Sequence, residues 1–135
     1  MAKAVVDSSV ILACLNRESG LETWLPWLDD AACSANIIAE VATKLVGKGI
    51  PADRAARAIA AFEFAVFPVD YADALAIGAL NAATRSAGLS LGDRSCLALA
   101  NRLGLPAVTA DRAWSRVAAA AGVEVHQIRQ LERPS

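Results

Sequence analysis

A chain of 135 residues with a formal net charge of −1 and 56% hydrophobic residues is sized for one domain, spanning residues 1–135. It lacks the global positive field that would mark it as a nucleic-acid binder. No stretch reaches the ~18 uncharged apolar residues of a membrane span, so no membrane is expected among its partners. The three cysteines, Cys14, Cys33 and Cys96, have no metal-ligand spacing and read as small core residues in a reducing cytoplasm.

Residues 1–7 are too short for a signal peptide and predict a first buried strand through Val5 and Val6, ending at Asp7. Ser8 and Ser9 lead into an apolar run that predicts a helix to about Arg17, with an Asp or Ser as its N-cap. A second helix is expected over 21–30, carrying Trp24, Leu25 and Leu28, with Pro26 tolerable only in its first turns. Residues 31–35 predict a strand. Asn36 is the expected cap of a helix whose apolar face is Ile37, Ile38, Val41 and Leu45, with Glu40 at its edge.

Gly47-Lys48-Gly49-Ile50-Pro51 is the clearest break in the chain. Beyond it an alanine-rich helix is expected over 52–64, opened by Asp53, and then a strand over 65–69 that Pro68 assigns to an edge or a strand end. Asp70 and Asp73 form an Asp-x-x-Asp start to a helix running to about Ala87, closed by Gly88. A helix from about Gly92 to Leu103 follows, then a strand over 106–109 that leads to Asp111. After a short helix with Trp114 and Val117, the alternating residues 123–128 read as a last strand, and Arg129 to Ser135 as a tail.

Strands and helices take turns throughout. This predicts an α/β fold with a mostly parallel sheet and helices on both faces. In such sheets sites form beyond the carboxyl ends of the strands. Asp7 and Asp111 end the first and fourth strands, Asp93 opens the helix that leads into the fourth, and Glu40 lies in the helix after the second.

Each acid also has an ordinary structural reading. Asp7 and Asp111 fit helix caps, Asp93 fits a capping box with Ser90, and Glu40 fits a surface helix residue. Their convergence is what points to chemistry. Two bare carboxylates ~4 Å apart repel by ~4 kcal/mol at an effective dielectric near 20. Four on one sheet edge call for a cation. An all-oxygen set suits Mg2+ or Mn2+, whereas zinc would need histidine or cysteine spacing that the lone His126 does not supply.

Such an ion could acidify a bound water and steady charge on a phosphate, which fits phosphodiester hydrolysis. Ser9 is placed to orient a carboxylate or a water, or to cap the helix. Arg94 and Arg112 directly follow acids and either touch phosphates or lie in solvent. A glycine-rich phosphate loop and a nucleophile triad both lack their motifs. Trp24, Trp27 and Trp114 read as core or interface residues.

The stretches Val5-Val6-Asp7-Ser8-Ser9, Glu40 in its helix, Leu91-Gly92-Asp93 and Thr109-Ala110-Asp111-Arg112-Ala113-Trp114 together resemble the PIN domain, and more narrowly the VapC-type toxins of toxin–antitoxin pairs. The likeness covers essentially the whole chain. It implies a PIN-like fold with a central parallel sheet of about five strands flanked by helices on both faces, and Mg2+- or Mn2+-dependent endoribonuclease activity, with Asp7, Glu40, Asp93 and Asp111 holding the metal and Ser9 assisting. It also implies a homodimer and a cognate VapB-like antitoxin whose C-terminal segment lies across the site.

The family's RNA targets vary, so no particular substrate carries over. RNA affinity needs local cations, for which Lys44, Lys48, Arg54, Arg57, Arg94 and Arg112 are the candidates. The rival readings are a catalytically silent RNA- or protein-binding module and a metal-dependent nuclease or phosphatase acting on DNA or monoesters. The apolar excess further suggests a partner groove, with Trp24, Leu25, Leu28 and the helix over 52–64 as its candidate lining, although each of these residues singly reads rather as ordinary core.

Overall fold

Valines at 5 and 6 favour extended backbone, and both side chains are fully buried, as a strand covered on two faces requires. In the computed structural model, which describes residues 2–130, they form β1 (Val5–Val6). β2 (Ala32–Ser34), β3 (Ala65–Phe67), β4 (Ala107–Thr109) and β5 (Val125–Gln127) complete a parallel sheet in the order β3-β2-β1-β4-β5. Val5 stands opposite Ala32 on one side and Ala107 on the other, which makes β1 the central strand.

Between β1 and β2 run α1 (Ser8–Leu15) and α2 (Leu21–Trp24), and between β2 and β3 run α3 (Ala35–Gly47) and α4 (Ala52–Ala60). β3 leads through α5 (Tyr71–Ala79), α6 (Asn81–Thr84) and α7 (Leu91–Leu103) to β4, and α8 (Ala118–Ala121) precedes β5. Strand order advances one way from β1 through α1–α4 and the other way through α5–α8. Right-handed crossovers therefore put the two sets of helices on opposite faces. The reversal falls between β1 and β4, the place where α/β sheets open a crevice at their carboxyl edge.

The apolar faces read from the sequence meet in one core. Val10 and Ile11 of α1, Ile37 and Val41 of α3, Cys96 and Leu97 of α7, Val108 and Trp114 are all fully buried. Truncating a core leucine such as Leu97 to alanine is expected to cost about 2–5 kcal/mol, the sum of its lost burial and the cavity left behind.

Several boundaries differ from expectation. The helix predicted over 21–30 shortens to α2 and a 3-10 turn at Leu25–Leu28, because Pro26 has no amide for a continuing α-helical bond. Ser34, not Asn36, caps α3: its hydroxyl accepts the Asn36 amide, and the Asn36 side chain instead donates to Ser95 Oγ at 3.0 Å. α4 stops at Ala60 rather than Phe64, since the chain turns through Glu63 (φ 57°) and stacks Phe62 on Phe64 with ring centroids 4.9 Å apart.

The helix expected to run from Asp70 to Ala87 divides at Leu80, between the weak helix formers Gly78 and Asn81. Trp24 and Leu28 point into the chain's own core at 2% and 4% exposure and cannot line a groove for a partner, although Leu25 is exposed. Arg129, read as the start of a tail, belongs to an ordered 3-10 turn at Ile128–Gln130. The rest of that tail, 131–135, lies outside the described residues.

Candidate functional site

Asp7 follows the central strand directly and occupies the N-cap position of α1, yet its side chain does not cap the helix. It is 2% exposed, and its Oδ2 accepts hydrogen bonds from Ser9 Oγ at 2.7 Å and from Thr109 Oγ1 at 2.9 Å. Each of those hydroxyls also accepts an amide from the loop after β4: Ala110 N to Ser9 Oγ at 3.0 Å, and Asp111 N to Thr109 Oγ1 at 3.0 Å. Two hydroxyls thus tie the end of β1 to the loop that carries Asp111. The other oxygen of Asp7, Oδ1, is buried and has no hydrogen-bond partner among the described residues.

Burial pushes the Asp7 carboxyl up to about 6 against the lowering effect of the Ser9 and Thr109 hydrogen bonds, and the charge of Asp93 raises it further. Asp93 is also pushed up, first by desolvation; the Ser90 hydrogen bonds oppose that rise, and the charges of Asp111 and Glu40 add to it. Asp93 is therefore the acid in electrostatic contact with all three others. It achieves this while serving as the N3 residue of α7, where Ser90 N donates to Asp93 Oδ2 at 2.9 Å and Asp93 N donates to Ser90 Oγ at 3.2 Å. The capping box and the acid cluster use the same carboxylate.

Glu40 reaches the cluster from α3. Its Oε2 accepts the Ser8 hydroxyl and lies 3.6 Å from Lys44 Nζ, one turn further along the helix. Asp111 stands exposed at the rim with its Oδ1 accepting Ala113 N at 2.9 Å, so it does cap the 3-10 turn Arg112–Arg116. The four acids thus grade from the buried Asp7 through the half-buried Glu40 and Asp93 to the open Asp111. An oxygen-only set of this kind suits a hard divalent cation. As the side chains stand, no three acidic, histidine or cysteine groups among the described residues close into a metal cage.

Sequence reasoning missed four contributors. Ser8 and Thr109 are neighbours of the acids in Asp-Ser-Ser and Thr-Ala-Asp, but only the folded chain shows which carboxylate each one serves. Gln127 Nε2 donates to the Asp111 carbonyl at 2.8 Å. Arg129 Nη1 donates to the Ala110 carbonyl at 3.2 Å, while its Nη2 pairs with Glu18 at 2.7 Å.

Of the residues placed near phosphates, Arg94 is turned away, its Nη1 donating to the Ile77 carbonyl at 3.0 Å, whereas Arg112 is exposed beside Asp111. His126 lies on β5 between the Trp27 ring, 5.1 Å away, and Glu124. Cys33 and Cys96 are buried; desolvation, reinforced by the charge of Asp7, holds the Cys33 thiol at about 12 and keeps Cys96 protonated as well.

Known structures share this fold. DNA-bound VapBC from Salmonella typhimurium aligns with a TM-score of 0.72 at 18% identity over 95% of this chain and 99% of that one. FitAcB from Neisseria gonorrhoeae aligns at 0.69 and 22% identity over 95% and 99%. A toxin–antitoxin complex from Klebsiella pneumoniae aligns at 0.67 and 20% over the same shares. The comparison with curated proteins finds no match. The PIN domain family model matches residues 4–120, from the first strand to α8 and through all four acids, and the chain belongs to the PIN domain family.

Proposed function

We propose that this chain is a Mg2+- or Mn2+-dependent endoribonuclease, the toxin of a VapBC-type pair, with Asp7, Glu40, Asp93 and Asp111 as its metal-holding residues and Ser9 as an assisting one. The observation that carries the reading is Asp7. A buried carboxylate with one oxygen fixed by two hydroxyls and the other without a hydrogen-bond partner among the described residues is costly, and the hydroxyl network leaves that second oxygen unserved. A divalent cation bound there would relieve both that deficit and the repulsion among the carboxylates that helps to push Asp7 and Asp93 upward.

When bound, such an ion supplies acidification of a water and neutralisation of charge developing on the phosphate. The chain's own residues do the rest. Ser9 and Thr109 fix the orientation of Asp7, the α7 cap fixes Asp93, and the exposed Arg112 offers a charge-assisted contact to a backbone phosphate. Likeness to toxin–antitoxin complexes supports an antitoxin partner. The apolar side chains of Tyr71 and Leu75 on α5, 81% and 60% exposed, support a homodimer.

The test is cleavage of a mixed RNA pool with Mg2+ or Mn2+ by wild type and Asp93→Asn. Cleavage by wild type alone, stopped by a chelator, is expected. Equal activity in both proteins, or activity surviving excess chelator, contradicts the reading. The silent-module alternative draws on the lack of a closed three-acid cage among the described residues. Tight metal uptake without cleavage of RNA, DNA or phosphomonoesters would select it.

A further inference from the structure

Lys44 sits one turn beyond Glu40 on α3, with Nζ 3.6 Å from Oε2. Among the described residues this is the ion pair that includes one of the four acids; Arg94 is engaged on the Ile77 carbonyl and Arg129 on Glu18, and Arg112 stands exposed beside Asp111 at the rim. The oxygen that Lys44 faces is the one that also accepts the Ser8 hydroxyl, so both partners hold the Glu40 carboxylate on the side of α1 and α3. Its other oxygen, Oε1, faces Gly92 at the start of α7.

We infer that Lys44 is a resident counter-ion of Glu40, which competes with a divalent cation for the charge of the Glu40 carboxylate. This rests on the reading of Glu40 given above.

Three physical points carry it. The Glu-to-Lys i,i+4 order is the favourable one on a helix, so the pair forms without tertiary help. Lys44 is 53% exposed and carries its charge on a flexible four-carbon stem, so the ammonium can leave without disturbing packing. An exposed pair of this kind is weak and salt-screened, whereas a dication brings twice the charge to a site already crowded with carboxylates. Lys44 therefore offsets part of the charge of the metal-free cluster and competes with the metal.

Competition has a signature that damage to a binding site does not produce: removing the side chain's charge tightens metal binding. Mn2+ affinity is measured by electron paramagnetic resonance of the free ion for wild type, Lys44→Met and Lys44→Arg, with melting curves in chelator to verify folding. Lys44→Met is expected to bind Mn2+ about three- to tenfold more tightly than wild type at low salt, with the gain shrinking in ~0.5 M salt. Lys44→Arg keeps the charge and is expected to stay near wild type. Wild type that binds Mn2+ while Lys44→Met binds it equally or more weakly overturns the counter-ion and leaves the metal site standing. Wild type that takes up no Mn2+ overturns both.

Discussion

A methyl group built on Gly92 would stand 2.3 Å from Oε1 of Glu40, so the helix that presents Asp93 leaves room for the Glu40 carboxylate only because position 92 has no side chain. The Gly92 backbone does not have a positive φ, so alanine is tolerated there conformationally. Gly92→Ala should gain helix propensity and keep stability within about 1 kcal/mol of wild type. The end of a flexible side chain is what must yield, so Glu40 moves. Mn2+ affinity is expected to fall about tenfold, the scale seen when a ligand's support is lost. Calorimetric titration alongside thermal melting separates the two effects.

Asp7 makes the metal-free protein pH-sensitive. Its carboxyl titrates near 6 when folded, above the unfolded value of about 4. The folded state therefore holds the proton more tightly, and its contribution to stability is greatest below pH 4 and is lost as pH rises through 6. The full swing is about 3 kcal/mol. Asp7→Asn, which cannot ionise, should melt higher than wild type in chelator at pH 7.5 and lose its advantage near pH 4. Mn2+ should raise the melting temperature of wild type and leave that of Asp7→Asn unchanged.

Thr109 is fully buried and serves Asp7 and the Asp111 amide with one hydroxyl. Thr109→Val preserves shape, removes a donor to Asp7 and orphans the Asp111 amide. A loss of about 1–3 kcal/mol is expected in denaturant unfolding. The Asp7 titration, followed by NMR of the carboxyl carbon, should move further upward because a hydrogen bond that favours the charged form has gone.

Arg129 and Glu18 join the loop after α1 to the carbonyl that precedes Asp111. Both are partly exposed, so Arg129→Ala should cost at most about 1 kcal/mol of stability. Its expected effect is on Asp111: weaker Mn2+ uptake and slower RNA cleavage, with Arg129→Lys recovering part of both. Unchanged metal affinity in Arg129→Ala would assign the pair a purely structural role.

The frame was legible because it rests on local signals. Buried valines at 5 and 6, the 3.6-residue spacing of Ile37, Val41 and Leu45, and the Ser90–Asp93 cap each declare themselves within a few residues. Strand alternation then placed Asp7 and Asp111 at one sheet edge. The supports of the site were not legible. Thr109 meets Asp7 across 102 positions and Arg129 meets Glu18 across 111, and no local pattern encodes such pairs. Trp24 and Leu28 stayed open between two readings for the opposite reason: apolar side chains on a short helix read alike whether they face a partner or, as here, their own core.

The central claim is that the acids at this sheet edge share one divalent ion, and anomalous diffraction from crystals grown with Mn2+ tests it most directly. The expected result is a manganese peak about 2.1 Å from Oδ1 of Asp7 with an Asp93 oxygen in its coordination shell, and no such peak in Asp7→Asn. Crystals in which Asp7 Oδ1 faces no ion at saturating Mn2+, with each acid serving only its own helix end or hydroxyl partner, would contradict it.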